Sequence, residues 1–574
     1  MARSKDDPAD QPNRMDRRQF GKIMAGGLAL GMSGGVSALA CDNAKTKQSA
    51  PLKPNVLYPD GEQLQGVKEA NVVVVGGGLS GLIAARCLVN NGKSVYVLEA
   101  NHRIGGRMYL NPPDPNYNGQ LPPLDLGGQW VGDTQLDMQA LVDEFRIEHF
   151  LSYEANWSVQ SWGRTRLQGF NGDISDLLSG DCEEPKPLDP ECKSLIQLCE
   201  SGRGALWKAL LEISKTIPPE SPWEAENAKW LDSQTFASWL DNELAKPGVY
   251  PTNKAYMHWL SALQARIGGS GGFEPGTVSL LHMAWTQRVG PQAATPEKWL
   301  LKGGAGQIPE LLAKQLANRI VLSSPVTAIN AENTNNIQVI AGGLTIKTKA
   351  VIVAIPPPLR AGIEFTPALP PIHNGFIQRS PMGSMTKVHA VYNKPFWRDR
   401  CKSGSAVGSL NQVFGDPPTA CEFIADSSGP EGGGGPGILT SFISGDRNLA
   451  LSGLDCTTVQ KLVLDDFKYY LDDSTLLEPS YFVRFNWNEQ KWSGGAFTSY
   501  LPPGAWTTYG KGLRENVGHI YWAGTETSDR WPGYFDGAIR AGKTAALAAL
   551  KDVFNITGAK ECQLSKVNDV KWVK

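Results

Sequence analysis

The apolar pattern is sharpest near residue 70. Val72 to Val75 is an unbroken β-branched run, as a strand buried on both faces requires. Gly76, Gly78 and Gly81 follow in GxGxxG spacing, and Leu79 to Asn91 then reads as a helix. A second apolar strand, Ser94 to Leu98, ends at Glu99. From about His149 to Trp299 the pattern is helical, for example at Gly204 to Lys215 and Thr235 to Leu244. Strand character returns at Arg319 to Asn330 and at Ala350 to Ile355, and a mixed region runs from Pro371 to Asn486. No internal repeat of solenoid length is visible.

A glycine turn between strand and helix does specific chemistry. The glycines allow a tight turn, let the backbone approach a pyrophosphate, and let the helix pack closely on the strand. The helix N-terminus faces phosphate, and Glu99 falls where a carboxylate accepts both hydroxyls of an adenosine ribose. This predicts a dinucleotide site. Arg103-Ile104-Gly105-Gly106-Arg107 puts two guanidinium groups around a glycine pair, suited to bidentate contact with phosphate. The segment resembles the second pyrophosphate-binding motif of FAD proteins in the glutathione-reductase-like group, which a nicotinamide dehydrogenase does not need.

Composition adds bounds. The chain has 574 residues, 41% of them hydrophobic, enough for a large core and two domains. A formal charge of −2 without a basic patch argues against nucleic acid as a partner. Nine cysteines show no CxxC and no metal-ligand spacing, and the seven histidines form no HExxH. Cys182, Cys192 and Cys199 cluster, so an oxidising compartment permits a disulfide there, with free thiols the alternative. Gly268 to Gly272 matches GxSxG formally, but its glycine-rich context reads as a flexible loop.

The N-terminus reads as an address. Asp16-Arg17-Arg18-Gln19-Phe20-Gly21-Lys22 resembles a twin-arginine export motif, recognised by the Tat translocon. A weakly apolar stretch with five glycines follows, Ile23 to Ala40, ending in the small-residue site Ala38-Leu39-Ala40. The expectation is an exported protein, periplasmic or extracellular. Cys41 completes an imperfect lipobox, so lipid anchoring there and simple cleavage both stay open.

The C-terminal third carries a closer likeness. Ser493 to Thr498, Tyr500 to Gly504, Ile520 to Thr527 and Trp531 to Ala538 resemble the flavin-containing monoamine oxidase family in order and spacing. So do Asp125 to Gly128, Gly303 to Gln307, Pro325-Val326, Ala354 to Pro357, Met382 to Lys387 and Lys394 to Trp397. The resemblance runs from about residue 70 to 550. It implies an α/β fold, with an FAD-binding Rossmann-like, glutathione-reductase-like domain interleaved with a mixed α+β substrate domain. The expected division is a leader at 1–41, a linker at 42–68, a discontinuous FAD domain at 69–149, 300–370 and 487–553, a substrate domain at 150–299 and 371–486, and a polar tail at 554–574.

By the same resemblance, Glu526 with Thr527 binds the ribityl or pyrophosphate end of FAD, Val326 contacts adenine, and Trp487 packs on the isoalloxazine. Lys387 matches the family lysine that holds a water against flavin N5. Phe497 and Tyr534 match the aromatic pair that guides an amine to the flavin. The implied activity is oxidation of a primary or secondary amine to an imine by hydride transfer to flavin N5, with O2 or another acceptor taking the electrons. Ala496 stands where the animal enzymes carry the cysteine that binds FAD covalently, so FAD is expected to be dissociable.

Two other readings compete. One is an L-amino-acid oxidase or dehydrogenase of the same superfamily. Its well-known secreted forms clamp the substrate carboxylate with an arginine where this chain has Trp130, although Arg266 or Arg288 could serve. The other is a non-catalytic FAD-binding protein, which the retained Lys387 and aromatic pair oppose. Glu297 falls near the pocket mouth, where it either attracts a distal cation or is a solvated loop acid.

Overall fold

The structure is a computed structural model. It describes residues 39–40, 66–111, 114, 121–152, 157–162, 165–170, 206–246, 272–290, 297–398, 406–407, 420–421, 423–430, 432–471, 473–559 and 562. The twin-arginine motif, Cys41, the Cys182, Cys192 and Cys199 cluster, Arg266 and the glycine run up to Gly271 lie outside the described residues.

Val72–Val75 is the middle strand of a five-stranded parallel sheet. The order is Ile320–Val321, Val95–Leu98, Val72–Val75, Ala350–Val353 and Ile520–Trp522. Side chains alternate between faces along a strand. Val72 and Val74 therefore pack with the helices Leu79–Asn90, Gln307–Leu316 and Phe535–Phe554. Val73 and Val75 pack on a second sheet built from Ala328–Asn330, Ile337–Ala341 and Leu344–Thr348. Covering both faces explains why the first strand carries no polar residue. Ligands in such folds bind outside the carboxyl ends of the parallel strands.

An eight-stranded sheet forms the other part of the molecule, with Met385–Tyr392 paired antiparallel to Gly437–Ser444 and Tyr481–Asn486. Val388, Ala390 and Tyr392 face the helix Cys456–Leu471. Met385 and Val391 face the other way, in a cluster with Phe442, Phe485 and Trp487. Lys387 has the parity of Met385 and shares its face. The molecule thus joins a Rossmann-like parallel sheet, covered on both faces, to a second domain built on a mixed sheet.

Several elements differ from the expected pattern. Arg319 to Asn330 is not one strand. Ile320–Val321 and Ala328–Asn330 lie in different sheets, parted where Ser323 takes a positive φ of 50° just before Pro325. The stretch read as helical contains the hairpin Trp157–Trp162 with Thr165–Phe170, whose opening Trp-Ser-Val-Gln alternates apolar and polar residues. The end of the expected linker is a strand, Gly66–Glu69, paired parallel with Leu344–Thr348. Leu39–Ala40, within the segment expected to be a leader, pairs with the strand Tyr481–Asn486. The polar tail is not wholly free, since Cys562 is buried and disulfide-bonded to Cys87.

Candidate functional site

The carboxyl ends of the parallel strands open into a cleft of about 360 Å³. Gly76, after the first strand, has φ +105°, and a Cβ there would meet the Ala354 carbonyl at 2.7 Å. Gly78 is the N-cap of the Leu79–Asn90 helix and offers no side-chain cap. The first N–H groups of that helix are therefore available to an anion. Gly78 and Gly106 face each other across the cleft wall, where a Cβ on Gly106 would stand 3.3 Å from the Gly78 Cα. These glycines leave the room that a dinucleotide needs. Glu99 stands at the end of the neighbouring strand, accepting from the Gly77 N–H at 2.6 Å and the Asn101 N–H at 2.8 Å. Burial raises its pKa, against the lowering effect of those N–H groups and Arg103.

The two arginines of the second motif line the cleft in different ways. The Arg103 guanidinium lies 3.9 Å from the Tyr109 ring centre and donates to the Gly106 carbonyl at 2.9 Å. Arg107 donates to the Phe497 carbonyl and to Glu526 Oε1, each at 2.6 Å. Glu526 thus sits behind the wall. Its carboxyl is held below the usual range because Arg107, helped by Arg360, outweighs the effect of burial, the largest single influence.

Val326, Lys387, Trp487, Ala496, Phe497 and Tyr534 line the same cleft. Trp487 is anchored by its indole N–H, which donates to the Leu126 carbonyl at 2.9 Å. Phe442 meets Phe497 edge-on at 5.3 Å between ring centres. The Tyr534 hydroxyl donates to Glu297 Oε1 at 3.3 Å, which places Glu297 beside one wall of the cleft. The Lys387 ammonium is buried and donates to the Gly127 carbonyl at 2.9 Å and to Gln129 Oε1 at 2.6 Å. Burial lowers its pKa and the Asp125 carboxylate opposes that shift.

A family model described as flavin containing amine oxidoreductase matches residues 79–550. The chain belongs to this family. It is similar to an L-amino acid dehydrogenase of Synechocystis sp., 36% identical over 483 residues, 83% of this chain and 94% of that protein. The flavin-containing amine oxidase A of Equus caballus is 32% identical over 496 residues, 85% of each chain. Among solved structures, a putrescine oxidase bound to putrescine matches at a TM-score of 0.71 and 25% identity, over 84% of this chain and 99% of that one. A cyclohexylamine oxidase from Brevibacterium oxydans matches at a TM-score of 0.71 and 25% identity, over 85% and 100%. The protein is accordingly an FAD-dependent oxidoreductase acting on amines, and its glycine cradle, uncapped helix end and cleft fit that cofactor.

Three residues expected at the cofactor do not line the cleft. Gly81 lies one turn along the helix, where a Cβ would stand 2.0 Å from the Gly76 carbonyl, so its part is close packing. Glu526 acts through Arg107. Thr527 turns away, its hydroxyl donating to the Gly524 carbonyl and its own carbonyl accepting from Arg514. Arg288, a candidate carboxylate clamp, is exposed on the helix Leu280–Val289 and does not line the cleft.

Sequence reasoning missed the buried polar groups behind Lys387. Asp125 accepts from the Ala305 and Gly306 N–H groups at 2.7 and 2.9 Å. Gln129 donates to Ser427 at 2.7 Å, and His389 contacts Thr440. The signal for His389 was its place in the strand Met385–Tyr392, two residues after Lys387 and so on the same face.

Proposed function

We propose that this protein oxidises a primary or secondary amine to an imine, which water converts to an aldehyde or ketone with release of ammonia or an amine. FAD, when bound, supplies the acceptor for the hydride equivalent from the α C–H. The chain's own residues bind and orient. Phe497 and Tyr534 bound the cleft with aromatic surface that holds an amine without a charge to keep it protonated. Enclosure in an apolar site lowers the amine's pKa and so favours the neutral, reactive form. Lys387 presents a fixed N–H donor for the oxidative half-reaction, in which O2 takes two electrons and two protons to give H2O2. FAD is held without a covalent bond, because Ala496 offers no thiol.

The observation that carries the choice of amine over amino acid is the state of the cations. The described cations lining the cleft are Arg103, Arg107, Lys387 and Lys491. The first three are held by protein carbonyls, Glu526 or Gln129, and Lys491 lies over the Trp492 ring at 4.5 Å. Trp130 stands behind Lys387, 5.3 Å from its ammonium. A substrate carboxylate without a cation is costly to bury.

The 36% identity to an L-amino acid dehydrogenase supports the second reading, oxidation of an L-amino acid. Anaerobic bleaching of the flavin decides between them. Apolar arylalkyl or alkyl amines should reduce it faster than the matching α-amino acids by about 2–4 kcal/mol in transition-state terms, the scale of an uncompensated buried polar group. Faster reduction by the amino acids replaces the first reading with the second.

A further inference from the structure

Behind Lys387 the buried polar groups form one chain. Lys387 Nζ is 2.6 Å from Gln129 Oε1, and Gln129 Nε2 is 2.7 Å from Ser427 Oγ. Ser427 Oγ is 2.7 Å from Thr440 Oγ1, and Thr440 Oγ1 is 2.8 Å from His389 Nδ1. His389 Nε2 closes the chain at 2.9 Å from the Asp125 carbonyl oxygen. Gln129, Thr440, His389 and Lys387 are all buried. The chain joins four separate segments: residues 127–129, the paired strands Met385–Tyr392 and Gly437–Ser444, and Ser427, which follows the strand Phe423–Asp426.

The direction of each hydrogen bond follows from its far end. A backbone carbonyl only accepts, so His389 Nε2 carries the hydrogen. A neutral imidazole then has a bare Nδ1, which accepts from the Thr440 hydroxyl. Thr440 Oγ1, having spent its hydrogen, accepts from Ser427. Ser427 in turn accepts from the Gln129 amide N–H. The Gln129 carbonyl is left facing Lys387, as the ammonium requires. Neutrality of His389 agrees with its surroundings, since burial and the adjacent Lys387 cation both hold its pKa well below the usual value.

We infer that His389 is a positioning residue for Lys387: it fixes the direction of a hydrogen-bond chain that turns the Gln129 carbonyl toward the ammonium. With two N–H groups held by Gly127 and Gln129, the third is directed to the cleft that Lys387 lines. Without an acceptor at position 389, Thr440 can donate to Ser427 and Ser427 to Gln129. The amide then turns over and sets its NH2 against the ammonium, which displaces Lys387. A glutamine at 389 restores the order, because its amide donates to the Asp125 carbonyl and accepts from Thr440.

The inference rests on the reading of Lys387 in flavin reoxidation, and the test separates the two. Ring-15N-histidine NMR of the protein, with and without FAD, should show His389 among the neutral Nε2–H imidazoles from pH 6 to 8, beside His282 and His373, whose contacts require the same tautomer. The His389 signals should vanish in His389→Gln, which assigns them. In stopped flow, His389→Leu should slow reoxidation by about 10- to 100-fold, the scale of a misplaced group, while anaerobic reduction stays within about 3-fold. His389→Gln should return reoxidation to within about 3-fold of the parent. An imidazolium or an Nδ1–H tautomer at His389 overturns the inference. So does parental reoxidation in His389→Leu when Lys387→Met is slow. Parental reoxidation in Lys387→Met removes the oxygen role of Lys387 instead, and the tautomer then decides the direction of the chain by itself. A His389→Leu protein that does not fold leaves that decision to the NMR of the parent and His389→Gln.

Discussion

Burial decides the protonation of single side chains in this molecule, and His282 shows it away from the cleft. Its Nδ1 accepts from the Trp506 indole at 3.2 Å, and burial drives its pKa from 6.5 to about 3. The folded chain therefore holds a neutral imidazole that the unfolded chain protonates. Below pH 6.5 the unfolded state binds the extra proton, so this group's contribution to stability falls as pH falls, until the folded pKa is reached. His282→Asn keeps an acceptor for Trp506 and removes the titration. The parent should lose about 2 kcal/mol relative to the variant between pH 7 and pH 5, measured by denaturant unfolding at both values. A constant difference would mean that the imidazole titrates freely in the fold. Tyr534→Ala tests a wall of the cleft. It should slow anaerobic flavin reduction by about 10-fold while FAD stays bound, the cost of poorer orientation. An unchanged rate would place the amine elsewhere. The place of Glu99, Gly76 and Gly78 at the cleft could be read from the chain, because the spacing of a local motif sets it. Gln129 and His389 could not, because their partners come from segments far apart in the sequence.

At the scale of elements, the helix Leu79–Asn90 is positioned from behind. Gly542, on the helix Phe535–Phe554, lets that helix approach so closely that a Cβ would stand 2.2 Å from the Ser80 carbonyl. Ser80 in turn accepts from the Gly524 N–H at 3.0 Å. Gly542→Ala must push apart two helices whose ends face the cofactor. It should destabilise the fold by about 1–3 kcal/mol, as overpacking does. It should also weaken FAD binding, read from quenching of flavin fluorescence, whereas Gly453→Ala in open space should leave binding unchanged. Equal affinities in both variants would detach helix packing from cofactor binding. Elements with one dominant period, such as Val72–Val75 and its helix, were legible because both faces of each are specified locally. Arg319 to Asn330 misled because two strands of different sheets share one apolar run, and only the turn at Ser323 and Pro325 separates them.

At the scale of the whole chain, Cys87 and Cys562 form a disulfide across a separation of 475 residues, tying the cofactor-binding helix to the C-terminal segment. Such bonds persist in oxidising compartments and are rare in a reducing cytosol. This supports the proposal, first raised by Arg17, Arg18 and the small-residue site before Cys41, that the protein is exported. The sequence alone pointed to other cysteines, because nothing local marks two thiols at opposite ends of a fold as neighbours. If the leader is read by the Tat translocon, replacing Arg17 and Arg18 with Lys should keep a folded, flavin-loaded protein in the cytoplasm. Its Cys87 and Cys562 should then be free thiols, both alkylated in mass spectrometry without reductant. The exported parent should yield the linked peptide pair. Cys562→Ser should lower the stability of the exported protein by about 2–4 kcal/mol, the usual value of a disulfide, and reduction of the parent should bring it to the same level. A linked pair in the retained variant would break the connection between this bond and the compartment. Unchanged export would contradict the reading of the leader itself.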